Sequence, residues 1–255
     1  MKTKIFYDFE ATSISRDADI VSVGLVAVTL IEEGYRFEKD IHYKNEEIKT
    51  FYAEFHDFSL DKSDEWVKEN IIKKLRFKEY LQRKSNLLLN TSPHYFKTDT
   101  NIELVGNTDF ISNTLKDWLS QFESIEFWSD FDVIDKPMLI DLIAEWNIEI
   151  IHRNIEIDED GYNKKICIYE HEKVGLPKHL PNVKYDQFFD LHTYLKIKGV
   201  DTDVNRETFV KSELTKESVF GKDFNNPPFS EIIGEKHHAL WDAYVNWKVY
   251  EKLNN

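Results

Sequence analysis

Residues 5–10 read IFYDFE, and residues 20–29 read IVSVGLVAVT. The first stretch alternates as a two-faced strand does, so the carboxylates of Asp8 and Glu10 leave the same face. The second is a β-branched, apolar run that suits a largely buried strand. Residues 49–55 (KTFYAEF) alternate again. We therefore predict that these segments form an antiparallel meander at the front of a sheet.

Strands come first, and helices alternate with strands after them, which predicts an α/β or an α+β fold. We expect a single domain over residues 1–255, because no linker or repeat divides it. Two segments look like insertions: residues 154–170, a β-hairpin around the Asp160-Gly161 turn signal, and residues 200–235, an irregular stretch. Helices are predicted at 66–84, 109–122 (capped by Asp109), 135–146, 185–198 and 239–253, a short strand at 125–128 and a long loop at 85–108.

The composition is that of a folded protein from a reducing compartment. The 255 residues are 41% hydrophobic and 14% aromatic, which is enough for a substantial core. No apolar stretch approaches the roughly 18 residues that span a bilayer, and Asp8 interrupts any signal-peptide segment. Cys167 has no intrachain partner, because it is the only cysteine. We expect a cytoplasmic protein without a membrane partner.

The net charge constrains any role with nucleic acid. Asp and Glu number 47 against 33 Lys and Arg, which gives a formal charge of −14. A protein that coats long nucleic acid needs a basic face, whereas an acidic one can grip a short end with the help of metal cations. The one conspicuous basic patch, residues 68–84, is either a solvated helix face or a contact for a substrate backbone.

Acidic and histidine residues carry the remaining chemical signal. The chain has no Walker A, G-x-G-x-x-G, G-x-S-x-G or H-E-x-x-H motif. Carboxylates as close as those of Asp8 and Glu10 disfavour each other's ionisation unless a cation lies between them, and Mg²⁺ and Mn²⁺ prefer such oxygen ligands. A half-exposed strand edge explains this pair equally well.

A second pattern, H-x₄-D, joins His237 and Asp242 at the start of the predicted C-terminal helix. Side chains five residues apart cannot share a helical face, so His237 should precede the helix and Asp242 should lie inside it. His238 is the local competitor for the role of His237. The same spacing also occurs at His56 and Asp61 and at His94 and Asp99, without an amphipathic helix around the aspartate.

A third acidic position follows the strand predicted at 125–128. Asp130, Asp132 and Asp135 compete for it, and each is also explained as a helix cap or a solvated turn.

Taken in order, Asp8-Phe-Glu-Ala-Thr12, a mid-chain aspartate and His237-x₄-Asp242 resemble the motifs of DEDDh 3′–5′ exonucleases. The resemblance implies a ribonuclease-H-like α/β fold, in which a mixed central sheet, an antiparallel meander followed by parallel strands, is flanked by helices. The wider pattern is similar to that of the small bacterial and phage 3′–5′ exoribonuclease family. In that family a leucine follows the middle aspartate by four positions, which Asp135 satisfies and Asp132 does not. The glycine of the common first motif is absent here. Asp190 lies in a family-like stretch, but we assign it no metal role.

The resemblance implies a metal-dependent hydrolase. Two Mg²⁺ or Mn²⁺ ions, roughly 3.5–4 Å apart, would be held by Asp8, Glu10, Asp135 and Asp242. His237 would take the proton from the attacking water, since an ordinary histidine pKa of about 6.5 suits a base near neutral pH.

The resemblance also implies a substrate, the 3′ end of a single-stranded nucleic acid, with nucleoside 5′-monophosphates as products. Phe9, Ala11 and Thr12 would contact the terminal nucleotide, where a contact to the 2′-OH favours RNA over DNA. Phe9 and Trp128 are each candidates either for stacking on a base or for the core. Related enzymes are often homodimers.

A second hypothesis is a catalytically degenerate ribonuclease-H-like module that binds nucleic acid or a protein without cleaving. The presence of His237 and of every candidate carboxylate argues against it, because a binding module has no need of a base.

Overall fold

The computed structural model describes residues 1–15, 17–36, 41–77, 94–159, 162–178, 180–211 and 237–254. In this part of the chain the strands are β1 (Lys2–Ala11), β2 (Ile20–Arg36), β3 (Ile41–Phe55), β4 (His94–Lys97), β5 (Asn101–Gly106), β6 (Ser124–Ser129), β7 (Glu145–Glu159), β8 (Tyr162–Lys178) and β9 (Phe188–Asp190). The α-helices are α1 (Glu65–Asn70), α2 (Thr108–Ser120), α3 (Asp132–Ile143), α4 (Leu191–Ile197), α5 (Arg206–Phe209) and α6 (Ala239–Asn254). Short 3₁₀ helices lie at Leu60–Lys62, Ile72–Lys74 and Tyr185–Gln187.

Seven strands form one mixed sheet in the order β4-β5-β3-β2-β1-β6-β9, and β7 pairs with β8 in a separate antiparallel sheet. The antiparallel pairing of β1 with β2 and of β2 with β3 confirms the predicted meander. β6 then lies parallel to β1, and β9 lies parallel to β6. The protein is an α/β fold with a mixed sheet flanked by helices, as the sequence predicts.

Helices cover both faces of this sheet. Ile5, Tyr7 and Phe9 of β1 pack in one core with α2 and α3, whereas Phe6 packs in a second core with α4 and α6. The alternation of β1 produces this division, because neighbouring side chains leave opposite faces of a strand. Asp8 and Glu10 therefore share the face of Phe6, which is the face that α6 covers. Among the described residues, no helix has the length and apolar character needed to cross a bilayer.

The loop predicted at 85–108 is wrong over residues 94–106, which contain β4 and β5. Ile102, Leu104 and Val105 are buried in the sheet, where β5 lies parallel to β3. These three apolar residues are too few for a visible period, and the partner strand lies about fifty positions earlier in the sequence. Long-range pairing therefore overrides the polar local composition.

The helix predicted at 185–198 is wrong in its first half, which is a 3₁₀ turn followed by β9. The helix α4 begins only at Leu191, because Asp190 caps it by accepting hydrogen bonds from the backbone N–H and the Oγ1 of Thr193, at 2.8 and 2.6 Å. This cap is a structural role for Asp190, to which we assign no metal role.

The helix predicted at 66–84 is much shorter, because α1 ends at Asn70 and a 3₁₀ turn follows it. The carboxylate of Glu54 accepts hydrogen bonds from the backbone N–H groups of Arg76 and Phe77 and so holds the chain against the sheet. Residues 78–93, which include the last three basic residues of the predicted patch, lie outside the described residues.

Two other helices keep their type but change their starts. α3 begins at Asp132 and ends at Ile143, and α2 is capped by Asn107 instead of Asp109. The hairpin predicted at 154–170 extends further in both directions, over β7 and β8, while its turn at 160–161 lies outside the described residues. In the other expected insertion only residues 200–211 are described.

Candidate metal centre

The first carboxylates of the site stand on β1. Asp8 pairs with Gly24 of β2, and Glu10 pairs with Ser22, so both carboxylates face the start of α6. Gly24 permits a very close approach of that helix: a Cβ atom there would lie 2.2 Å from the backbone nitrogen of Leu240. A glycine at this position therefore allows the helix to rest directly on the sheet beside the two acidic residues.

The start of α6 supplies His237 and Asp242. His237 precedes the helix, as predicted, with a left-handed backbone (φ 67°) that is uncommon outside glycine. Its backbone N–H donates to Oδ2 of Asp242 at 2.9 Å, and the N–H of Asp242 donates to the carbonyl of His238 at 3.0 Å. Asp242 therefore holds the turn that carries His237, and both side chains line the same cavity as Asp8 and Glu10.

The helix α3 supplies Asp135. Its side chain is only 3% exposed, and Oδ2 has no hydrogen-bond partner among the described residues. A buried, unpartnered carboxylate oxygen is costly unless a cation or another ligand binds it. Asp135 lines the cavity with the other four predicted residues, so the structure brings all five together.

The carboxylates of the site strongly disfavour each other's charge. Burial, together with Asp135 and Asp242, raises the pKa of Asp8 well above its usual value. Burial, Asp242 and Asp135 raise the pKa of Glu10 to about 8, although Lys74 opposes the shift. Burial, followed by the charge of Asp130, raises the pKa of Asp135. Without a cation, these groups retain protons that they would lose in water.

This donor set fits a divalent cation. Ligand atoms of Glu10, His237 and Asp242 all lie within 4.8 Å of one another. The oxygen-rich surroundings, which include the free Oδ2 of Asp135, suit Mg²⁺ or Mn²⁺ better than a soft metal. The imidazole of His237 is within reach of the same position, where it can serve either as a ligand or as a neighbouring base.

The site opens into a cavity of about 850 Å³, near the upper end of the range for ligand pockets. Eight carboxylate side chains line it, and Arg206 is the only Arg or Lys among the described residues of the lining. The carboxylates are those of Asp8, Glu10, Asp64, Asp130, Asp135, Asp203, Glu207 and Asp242. Three lining residues expose apolar side chains to solvent: Ile14 (84%), Trp66 (51%) and Phe131 (54%).

Residues 202–207 form one wall of the cavity and are tied to the rest of the site by two contacts. Arg206 donates from Nε and Nη2 to Oδ1 of Asp130, at 3.0 and 2.6 Å. Trp241 of α6 donates from Nε1 to Glu207 at 2.7 Å. Part of the segment that the sequence analysis treats as an insertion therefore contributes to the site.

Of the competing residues, only Asp130 lines the cavity. His238 is buried and stacks on Tyr52 at 4.6 Å between ring centroids, and burial lowers its pKa to about 4. Asp132 forms an ion pair with Lys136 at 3.8 Å and does not line the cavity. Asp130 does line it, beside Asp135, but is bound by Arg206. His56 and Asp61 do not line the cavity either.

Two of the three residues expected to contact the substrate line the cavity, and the third does not. Phe9 and Ala11 line the cavity, although Phe9 is 8% exposed and also belongs to the core. Thr12 is fully buried, and its Oγ1 accepts a hydrogen bond from the backbone N–H of Asp19 at 2.9 Å. Trp128 is a core residue that stacks on Phe189.

Sequence reasoning missed Trp66 as a site residue, as well as Arg206 and Asn246, all of which line the cavity. Asn246 was detectable, because it lies four residues after Asp242 on the predicted helix and so on the same face. Arg206 left no local signal, since its partner Asp130 lies in another element.

No protein-family model matches the chain, and no curated protein is significantly similar to it in sequence.

Proposed function

We propose that this protein is a divalent-metal-dependent 3′–5′ exonuclease of the DEDDh type with a ribonuclease-H-like fold, acting on single-stranded 3′ ends and preferring RNA. The observation that carries the proposal is the convergence of Asp8, Glu10, Asp135, Asp242 and His237 on one cavity from three separate elements. The antiparallel meander followed by parallel strands supports the fold assignment.

Asp8, Glu10, Asp135 and Asp242 would hold the cations. When bound, divalent ions supply positive charge for the phosphate and lower the pKa of a water molecule. His237 accepts the proton of the attacking water, and its ring meets the edge of Trp66 at 4.9 Å between centroids, which restrains its orientation. Asp242 has a second task, because it holds the backbone of His237.

The rim of the cavity supports a single strand as the substrate. The exposed side chains of Ile14, Trp66 and Phe131 offer apolar surfaces on which unpaired bases pack without regard to sequence. The cations would offset the eight carboxylates, so that an acidic protein can still bind a phosphate.

Incubation of 5′-labelled single-stranded RNA and DNA with the protein and Mn²⁺ or Mg²⁺ tests the proposal. We expect a ladder that shortens from the 3′ end, faster on RNA, and that disappears with EDTA. Asp8→Asn and His237→Ala should each reduce the rate at least about 100-fold, because each removes a group of the reacting centre. Asp132→Asn, a matched change outside the cavity, should keep the wild-type rate.

Cleavage that survives EDTA or Asp8→Asn would disprove the metal mechanism. Metal-dependent binding of RNA and DNA without cleavage would favour the binding module instead. Loss of activity in His238→Ala but not in His237→Ala would show that His238 is the base and that the assignment to His237 is wrong.

A further inference from the structure

Asn246, a residue of the cavity lining, carries an unused hydrogen-bond donor. It lies one helical turn after Asp242 on α6, it is 3% exposed, and it lines the cavity. Its Nδ2 has no hydrogen-bond partner among the described residues. Buried donors in native proteins are almost always paired, so an unpaired one beside a candidate metal centre indicates an acceptor that arrives with a ligand.

From this position we infer that Asn246 is a substrate-positioning residue that donates a hydrogen bond from Nδ2 to a phosphate oxygen of the bound nucleotide. The inference rests on the proposed function and extends it to phosphate recognition. An amide suits this task because it carries no charge: a lysine or arginine beside the four carboxylates would repel the cations that they hold. The carboxylates of the site could also accept the hydrogen bond of Asn246, but their oxygens would be occupied by the cations.

Arg206, the positively charged side chain of the described lining, is not available to bind a phosphate oxygen. Its Nε and Nη2 donate to Asp130, and its Nη1 donates to the carbonyls of Thr202 and Val204, each at 2.9 Å. Arg206 therefore maintains the wall of the cavity. Asn246 remains the buried donor of the lining without a protein acceptor among the described residues.

The test uses Asn246→Leu, which removes the donor at similar volume, and Asn246→Asp, which replaces it with a negative charge. Asn254→Leu, in the last turn of the same helix, is the matched control. For each full-length variant, calorimetry gives the affinity for Mn²⁺ alone and the affinity for adenosine 5′-monophosphate in saturating Mn²⁺. Steady-state cleavage of single-stranded RNA gives kcat and KM, and circular dichroism with a melting curve reports folding.

We expect Asn246→Leu to weaken nucleotide binding and kcat/KM about 10- to 100-fold, the effect of one hydrogen bond to a charged group. Asn246→Asp should weaken both further, while its affinity for Mn²⁺ stays equal or rises. The Asn254→Leu control should match the wild type. If the leucine variant does not fold, the nearly isosteric aspartate variant decides.

Unchanged nucleotide affinity in a folded Asn246 variant overturns the inference alone. A fall in Mn²⁺ affinity in the leucine variant also overturns it, because Asn246 would then orient a metal ligand. A wild-type protein that cleaves neither RNA nor DNA defeats the proposed function, and this inference falls with it.

Discussion

His237 and His238 are neighbours in the sequence with opposite surroundings in the structure. The left-handed backbone at His237 turns its ring toward the carboxylates, whereas the next ring enters the core and stacks on Tyr52. The H-x₄-D spacing and the expected helix start could therefore predict which histidine faces the carboxylates. The backbone conformation that separates the two rings depends on a hydrogen bond to Asp242, which spacing alone does not show.

The buried His238 should make stability depend on pH. Burial lowers its folded pKa to about 4, below the ordinary value, so in the window between about 6.5 and 4 only the unfolded chain takes up the proton. Acidification across this window should cost about 3 kcal/mol of unfolding free energy through this one residue. Above the window the contribution is constant.

Urea unfolding of the wild type and of His238→Phe at pH 7, 5.5 and 4.5 measures this effect. The phenylalanine keeps a ring against Tyr52 but cannot be protonated, so the difference in unfolding free energy between the two proteins should move in favour of the variant as the pH falls. A difference that is independent of pH would show that His238 is not buried as described.

Among the elements, the contact between β2 and α6 determines whether the site assembles. The strand pattern and the helix could each be predicted from periodicity, but their close approach at Gly24 could not, because it depends on the tertiary packing. Prediction missed β4, β5 and the short β9. Both β5 and β9 pair with a strand that is distant in sequence, and β4 pairs with β5 in turn.

Gly24→Ala should move α6, which carries Asp242, away from β1, which carries Asp8 and Glu10. The added methyl group would meet the backbone of Leu240 at 2.2–2.3 Å, and a backbone cannot rotate aside as a side chain can. We expect a destabilisation of about 1–3 kcal/mol and a loss of Mn²⁺ binding, because α6 must move away from Asp8 and Glu10.

Val26→Ala is the control, since Val26 lies on the same strand face and is fully buried in the same core. It should lose a comparable amount of stability through a small cavity but keep wild-type Mn²⁺ affinity. Calorimetric titration with Mn²⁺ and chemical unfolding of both variants supply the two quantities. Normal metal binding by Gly24→Ala would contradict the packing at this contact.

At the scale of the whole molecule, part of the acidic composition lies where it is most costly. Eight carboxylates line one cavity, and the pKa values of Asp8, Glu10 and Asp135 are raised by burial and by their acidic neighbours. A raised pKa means that the folded state holds these protons more tightly. Stability in the absence of metal should consequently fall as the pH rises toward about 8.

Mn²⁺ should reverse this loss. We expect the melting temperature to rise with Mn²⁺ and to rise more at pH 8 than at pH 6, because the ligands must lose their protons to bind the ion. At a hundredfold excess over its dissociation constant, the ion should add about 3 kcal/mol to the unfolding free energy. Melting curves in EDTA and in Mn²⁺ at both pH values measure the effect.

Asp8→Asn should make the unfolding free energy depend less on the metal ion. It removes one of the repelling charges, so it should be more stable than the wild type in EDTA at pH 8, and it should gain little from Mn²⁺. Asp132→Asn, which changes a residue outside the cavity lining, should keep the wild-type response to Mn²⁺. An equal Mn²⁺ response in Asp8→Asn and in the wild type would contradict the metal centre.

The centre joins β1 to the beginning of α6, the first and the last elements of the described residues. A ribosome has to synthesise Asp242 and let that helix emerge from the exit tunnel before Asp242 can meet Asp8. Under the proposed nuclease function, this order of synthesis keeps each nascent copy harmless to the messenger RNA from which it is being made.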